Sequence, residues 1–286
     1  MLILDRLQHP SIIRYFGGGE EDGLLYYVME LVEGGTVKDL LQTDGPLHWT
    51  AVVEVGRQLC SAIQFAHNYG VIHRDVKPSN LFLTTDGYVK LGDFGIARDM
   101  ENLDITSSGM TVGTHAYMAP EQIRGDAEIS GKADLYSLGC CLFEMLTGRT
   151  PFVGDNFAQL FEQHLRSDPP DVHEFLPDCP AELNEIIRQM LAKDPENRPF
   201  NARQVQAVML RLDDSSESET TAGEALSEQE SDIGSQHVVA RGREILQSRI
   251  RKRMSVDSAS DVSWKRLALV FGLIVTAVVA ATIFRS

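Results

Sequence analysis

Asp75, Lys77, Asn80 and Asp93 have the side-chain types that a phosphoryl transfer would use, in the order and at the spacing that would let them share one reactant. Such a transfer asks the protein for alignment and neutralised charge more than for covalent help. A hydroxyl nucleophile needs a carboxylate to orient it and accept its proton, and Asp75 is the candidate. Mg²⁺ prefers hard oxygen ligands and takes few of them from protein. The Asp93 carboxylate and the Asn80 amide oxygen would provide two, from opposite sides of a turn at Asp86-Gly87. Lys77 is close enough to Asp75 to meet a γ-phosphate oxygen and stabilise the charge developing there. Either acid alone reads as a solvated loop residue; both beside Asn80 and Lys77 do not.

The elements that would hold these residues are strands first, then helices. Leu24 to Glu30 is aromatic and β-branched, with Gly23 before it, and is expected to be a strand. Val52, Val55, Leu59, Ala62, Ile63 and Ala66 recur at helical spacing, and Gly70 is expected to end that helix. Leu81–Thr85 and Tyr88–Leu91 flank Asp86-Gly87 as the strands of a hairpin. Beyond Glu121, helices are expected over Ala133–Thr147, Asn156–Leu165, Glu182–Leu191 and Ala202–Leu212. A small β portion with a helical bulk is an α+β domain.

Three clusters lie in order along this framework: Val71-Ile-His-Arg-Asp-Val-Lys-Pro-Ser-Asn80, Gly92-Asp-Phe-Gly-Ile-Ala-Arg98 and Gly113-Thr-His-Ala-Tyr-Met-Ala-Pro-Glu121. With HRDxKxxN, DFG and APE in sequence, the chain resembles the eukaryotic-type (Hanks-type) protein kinases. The resemblance implies a protein-kinase-like fold, mainly the helical lower lobe with the hinge and a remnant of the upper one. It implies ATP and Mg²⁺ as cofactors, proteins as substrates and, through Lys77, serine or threonine rather than tyrosine as acceptor. Asp75, Lys77, Asn80 and Asp93 would be catalytic, Asn80 and Asp93 holding the metal. Met29 would be the gatekeeper, the backbone of Glu30 and Val32 would meet the adenine edge, and Phe82 would lie beneath the base. His73 resembles a packed core histidine, Asp134 the acid that braces the catalytic loop, and Glu121 with Arg198 a buried ion pair. Arg74 suggests control by phosphate in the following loop, where Thr106, Ser107, Ser108 and Thr111 are acceptors and Thr106 and Ser108 are preferred. Thr114 would lie near the acceptor.

The resemblance has a gap. No Gly-rich loop, strand lysine or helix glutamate precedes the hinge, and the first lysine, Lys38, already follows it. Leu2 to Gln8 resembles the end of the helix that would carry the glutamate. Two explanations are open: the protein begins upstream and Met1 is an internal methionine, or the shortened chain is a catalytically dead kinase-like scaffold. The first is preferred, because an intact catalytic set has no evident use in the second. Residues 1–286 by themselves are expected to be inactive or nearly so.

The charge pattern divides the chain. Residues 1–211 carry 17 basic and 30 acidic residues, so this partial kinase domain would repel a phosphate backbone and is not expected to bind nucleic acid. Residues 212–240 hold eight acids, no Lys or Arg and few large apolar groups, and read as an acidic flexible linker. Residues 241–266 form a basic juxtamembrane segment, whose run Arg249 to Arg253 is either attracted to anionic lipid or simply solvated. Leu267 to Phe284 is an uncharged run of 18 residues; at roughly 1.5 Å per residue it would reach about 27 Å, which suits a transmembrane helix. Eight Lys/Arg between Arg241 and Arg266, against Arg285 alone beyond, would make this a single-pass C-terminal anchor with the kinase domain cytoplasmic. A lipid membrane is therefore an expected partner, and tethering favours self-association and trans-autophosphorylation. The cysteines at 60, 140, 141 and 179 form no CxxC or zinc pattern and are expected to be buried free thiols.

Overall fold

The structure is a computed structural model, and it describes residues 6–21, 24–94, 115–215 and 240–255. Strands β1 (Tyr15–Glu21) and β2 (Leu24–Met29) form an antiparallel ribbon with Tyr15 opposite Met29 and a bulge between Tyr15 and Gly17. Helix α1 (Val37–Asp44) follows the hinge segment, and α2 (Trp49–Asn68) follows α1. Strands β3 (Leu81–Leu83) and β4 (Val89–Leu91) make a second antiparallel pair. Helices α3 (Pro120–Arg124), α4 (Lys132–Thr147), α5 (Phe157–Arg166), α6 (Ala181–Met190) and α7 (Ala202–Ser215) complete the lobe. One more helix, α8, covers 240–255.

The core runs along α2 and α4. Val52, Val55, Leu59, Ala62 and Ile63 are buried, which is the stripe their spacing predicts. His48 caps the start of α2 by accepting from the Thr50 N–H, and Gly70, at φ 74°, turns the chain away at its end. Helix α4 is buried on nearly all sides, including Cys140 and Cys141. It packs on α2 and α6, while α7 lies along α2. All four cysteines are free and buried, as expected from their apolar settings.

The β3–β4 turn is longer than the two-residue hairpin that Asp86-Gly87 suggests. The Thr84 side chain and backbone close it: Thr84 N–H donates to the Tyr88 carbonyl (2.9 Å), Gly87 N–H to the Thr84 carbonyl (3.0 Å) and Tyr88 N–H to Thr84 Oγ1 (3.0 Å). Those bonds take Thr84 and Tyr88 out of the ladder, so the strands stop at Leu83 and Val89.

Over 240–255 the basic segment is a helix seated on the lobe, with Leu246 (0% exposed) and Ile250 (1%) buried while Arg251 and Lys252 face solvent. The remaining acidic stretch, 216–239, and the apolar run 267–284 lie outside the described residues. Among the described residues no helix is long and apolar enough to cross a membrane.

Candidate active site

The loop bearing Asp75 is suspended from helix α4. Asp134, fully buried near the start of that helix, accepts hydrogen bonds from the backbone N–H groups of His73 (2.9 Å) and Arg74 (2.8 Å). His67, in the last turn of α2, places Nε2 2.7 Å from the same carboxylate. Burial by itself would raise the Asp134 carboxyl, but the hydrogen bond and charge of His67, with His73, outweigh it and hold it below the usual carboxylate value. A buried acid paired in this way fixes the backbone from which Asp75 projects.

His73 is placed as architecture. Its Nε2 donates to the Gly92 carbonyl (2.9 Å), so its Nδ1 is the acceptor of the Asp75 N–H (3.2 Å). Burial pushes the imidazole pKa down, with Asp134 opposing, so the ring is neutral and has both nitrogens committed. It ties Asp75 on one loop to the residue before Asp93 on the other.

Asp75, Lys77 and Asn80 come together as their spacing predicts. Lys77 Nζ lies 2.8 Å from Asp75 Oδ2, each side chain being 19% exposed. Asn80 Nδ2 donates to the Asp75 carbonyl (2.9 Å) and to Asp75 Oδ2 (3.1 Å). Since both partners are acceptors, the amide must turn its nitrogen toward Asp75 and its oxygen away. The Asp75 carboxylate is thus held and still reachable from solvent.

Strand pairing brings Asp93 to the same place. Leu81 faces Leu91 across β3 and β4, and the Gly92 N–H donates to the Asn80 carbonyl (3.0 Å), so Asn80 and Asp93 leave neighbouring strands side by side. His73 feels the charge of both Asp75 and Asp93. The Asp93 side chain is exposed, and the Tyr15 hydroxyl at the start of β1 feels its charge. Among the described residues, Arg74 (φ 63°) and Asp93 (φ 53°) are the non-glycine residues at positive φ. That conformation costs an L-residue roughly 1–2 kcal/mol, and such strain collects at functional positions.

This arrangement fits Mg²⁺ in the donor set it offers. The Asn80 amide oxygen and the Asp93 carboxylate are hard donors, one just before β3 and the other just beyond β4. No cluster of three or more His, Cys, Asp or Glu among the described residues is placed to hold a metal, so an ion at this pair would draw its other ligands from phosphate and water.

Met29 ends β2, and Glu30 and Val32 follow it in the segment leading to α1. Met29 is 41% exposed and Val32 half-buried. Glu30 donates its N–H to the Arg14 carbonyl (2.9 Å), and its carboxylate meets Lys90 Nζ (2.8 Å). Burial opposes ionisation of Glu30, but Lys90 and the Arg14 N–H prevail and lower its pKa. Phe82 lies between buried Leu81 and Leu83, so the strand alternation turns it to the opposite face. It bridges to Thr36 just past the hinge, and its ring packs against Gly92. Phe82, Thr36 and Gly92, the residue before Asp93, are therefore neighbours.

Glu121 and Arg198 form the expected buried pair: two parallel hydrogen bonds of 2.7 and 2.8 Å, with both residues 3% exposed. Arg198 also donates to the carbonyls of Ala192, Lys132 and Lys193. Thr106, Ser107, Ser108, Thr111 and Thr114 lie outside the described residues, as do Leu2 to Asp5. Three supports were not singled out from sequence. His67 braces Asp134, Lys90 and Arg14 hold Glu30, and Gln122 donates to the Arg74 carbonyl (3.0 Å). His67 lies one helical end before the catalytic loop, but nothing in a single chain marks it apart from any other helix histidine.

Residues 1–209 match the protein kinase domain family, and the chain belongs to that family. Its curated sequence relatives are serine/threonine-protein kinases. It is 39% identical over 211 residues to the serine/threonine-protein kinase PknB of Mycobacterium leprae, covering 72% of this chain and 34% of the relative. It is likewise 39% identical over 201 residues to the serine/threonine-protein kinase PrkC of Bacillus subtilis, covering 70% of this chain and 31% of that one. The chain thus spans about a third of the length of these curated relatives. Among solved structures, Rad53 1-466 in complex with AMP-PNP superposes with a TM-score of 0.60 at 34% identity, over 72% of this chain and 52% of the other.

Proposed function

We propose that this domain belongs to a membrane-anchored serine/threonine protein kinase that transfers the γ-phosphoryl group of Mg·ATP to protein hydroxyls. The observation that supports this reading is the joint hold on Asp75: Lys77 and Asn80 both bond its carboxylate, and Asn80 is joined to Gly92, the residue between the end of β4 and Asp93. Asp75 orients the acceptor hydroxyl and takes its proton as the new bond forms. Lys77 stands beside the carboxylate, where its ammonium faces the transferring group and offsets the negative charge that develops. Bound Mg²⁺ would neutralise phosphate charge, held by Asn80 Oδ1 and the Asp93 carboxylate. The backbone of Glu30 and Val32 would receive the adenine edge, with Met29 behind it and Phe82 below.

Residues 267–284 are read as the anchor and the lobe as cytoplasmic, on apolar length and on the distribution of Lys and Arg. None of the 286 residues supplies the Gly-rich loop or strand lysine that covers the phosphates, so residues 1–286 tested by themselves should transfer feebly. A second reading, a catalytically silent scaffold, draws on the exposed apolar side chains of the β1–β2 ribbon: Phe16 (58%), Tyr26 (49%) and Val28 (49%). The two part on one experiment. Phosphate incorporation is measured for the chain as it stands and for the chain extended by the in-frame residues encoded ahead of Met1, each with and without Asp75→Asn. Incorporation by the extended chain that Asp75→Asn abolishes supports the kinase; no incorporation by either supports the scaffold.

A further inference from the structure

Helix α8 takes no part in the chemistry proposed for the cleft, yet it is seated with care. It lies in a groove made by α1, the first turns of α2 and the β3–β4 turn. Leu246 and Ile250, one helical turn apart, are buried in the main core, with Ile245 and Met254 packed beside them. Arg243 reaches across to Glu54 Oε1 (2.9 Å), a fully buried carboxylate of α2, and its guanidinium lies 4.4 Å from the Tyr88 ring centroid. Arg249 donates to the Pro46 carbonyl (2.9 Å), and Arg253 lies 3.9 Å from Asp39. A Cβ added at Gly242 would stand 2.4 Å from the Thr50 carbonyl oxygen, so the helix backbone presses directly on the start of α2.

The composition of α8 suits a second seat equally well. Between 240 and 255 it carries Arg241, Arg243, Arg249, Arg251, Lys252 and Arg253 against the single acid Glu244. Arg241, Arg251 and Lys252 are exposed while the helix is docked. A narrow apolar stripe flanked by cations is what lies in the headgroup layer of an anionic bilayer. The helix has one such stripe and can bury it in one place at a time. We infer that α8 is exchangeable, with the groove of the lobe and an anionic lipid surface as its alternative seats.

The groove is the seat that leaves a mark on the lobe. Arg253 lies against Gly35, whose carbonyl accepts from Leu83 N–H (2.8 Å), and the next residue, Thr36, bridges to Phe82. Departure of α8 therefore uncovers Glu54 and takes Arg253 away from Gly35 at the hinge exit. The inference goes beyond the kinase reading and rests on the membrane reading only for the nearness of a bilayer.

The test is hydrogen–deuterium exchange on the full chain, mixed with vesicles of phosphatidylcholine alone or of phosphatidylcholine with phosphatidylserine. With the anionic vesicles, amides of 37–54 and 84–90 are expected to exchange several-fold faster than with the neutral ones. The difference should vanish at high salt. Gly242→Leu, which improves helix propensity but cannot fit against Thr50, should give the fast pattern with both vesicles. Groove exchange that is the same with both lipids overturns the proposal, and so does a Gly242→Leu chain that exchanges like the parent. Co-sedimentation with the neutral vesicles reports separately on residues 267–284, so failure of the anchor is told apart from failure of the exchange.

Discussion

Asn80 gives its side-chain amide twice to Asp75, once to the backbone carbonyl at 2.9 Å and once to the carboxylate at 3.1 Å. One residue thus fixes the direction of the proposed base and, by the same geometry, turns its own oxygen away from it, where Ser79 Oγ donates at 3.4 Å. In the proposed kinase, orientation of the base and presentation of a metal ligand would be two ends of a single amide.

That coupling predicts an asymmetry between substitutions in the extended chain. Asp75→Asn should lower phosphate incorporation roughly hundredfold or more, the scale of a lost general base. Asn80→Asp keeps a hard oxygen for Mg²⁺ but sets a second carboxylate against Asp75. It should cost activity even at saturating Mg²⁺, and kcat measured across Mg²⁺ concentration checks this. An Asn80→Asp chain restored fully by added Mg²⁺ would leave only the ligand role standing.

Glu121→Gln strands the Arg198 guanidinium in a site where it is 3% exposed. Breaking a buried pair by removing one charge costs about 3–5 kcal/mol. The urea midpoint should fall accordingly, while Glu121→Leu combined with Arg198→Met should recover much of the loss. Equal stability of parent and Glu121→Gln would show that the pair carries little.

The cysteines should be inert while the lobe is folded. Burial pushes the Cys60 and Cys179 thiols up to about 12, and raises Cys140 and Cys141 further still. The thiolate is the nucleophile, so iodoacetamide near pH 8 should modify none of them in the native chain and all four in urea. Mass spectrometry of the alkylated protein reads the outcome; rapid native labelling of Cys140 or Cys141 would mean that α4 opens.

Acid should weaken the lobe from a specific point. Burial, helped by the charge of Lys193, depresses His164 from 6.5 to about 3. Between those values the unfolded chain takes up a proton that the folded chain refuses. Stability is therefore whole above pH 6.5 and declines as pH falls toward 3. Its slope, read from urea midpoints, should flatten in His164→Gln. Buried neutral His73 contributes in the same direction.

Much of the chemistry could be read from the chain because it resides in short, local spacings. Asp75, Lys77 and Asn80 sit within one loop, and Asp93 is returned to them by the two strands between. Long-range partners of known type, Glu121 with Arg198 and Asp134 with the loop that carries Asp75, are legible through the resemblance. What escaped was structure imposed from elsewhere. Strand β1 contains Gly17-Gly18-Gly19, poor strand formers that are held extended by β2. Helix α1 is short, and its sequence mark is the reciprocal cap that Thr36 and Asp39 form at its start. Helix α8 shows Leu246 and Ile250 at helical spacing, but the residues that seat it, Asp39 and Glu54, are remote in sequence. A patch of arginines looks the same whether its counterion is a lipid or a carboxylate.

Under the proposed anchoring by residues 267–284, the docked helix would also set a radius. Counted from residue 212, the lobe would hang on 55 residues before Leu267; counted from Ser255, it would hang on the 11 residues 256–266. Fully drawn out at about 3.5 Å per residue, the longer leash spans roughly 190 Å and the shorter roughly 40 Å. With α8 seated, the catalytic mouth would patrol only a thin shell above the bilayer, and hydroxyls on tall partners would lie out of range until the helix lets go.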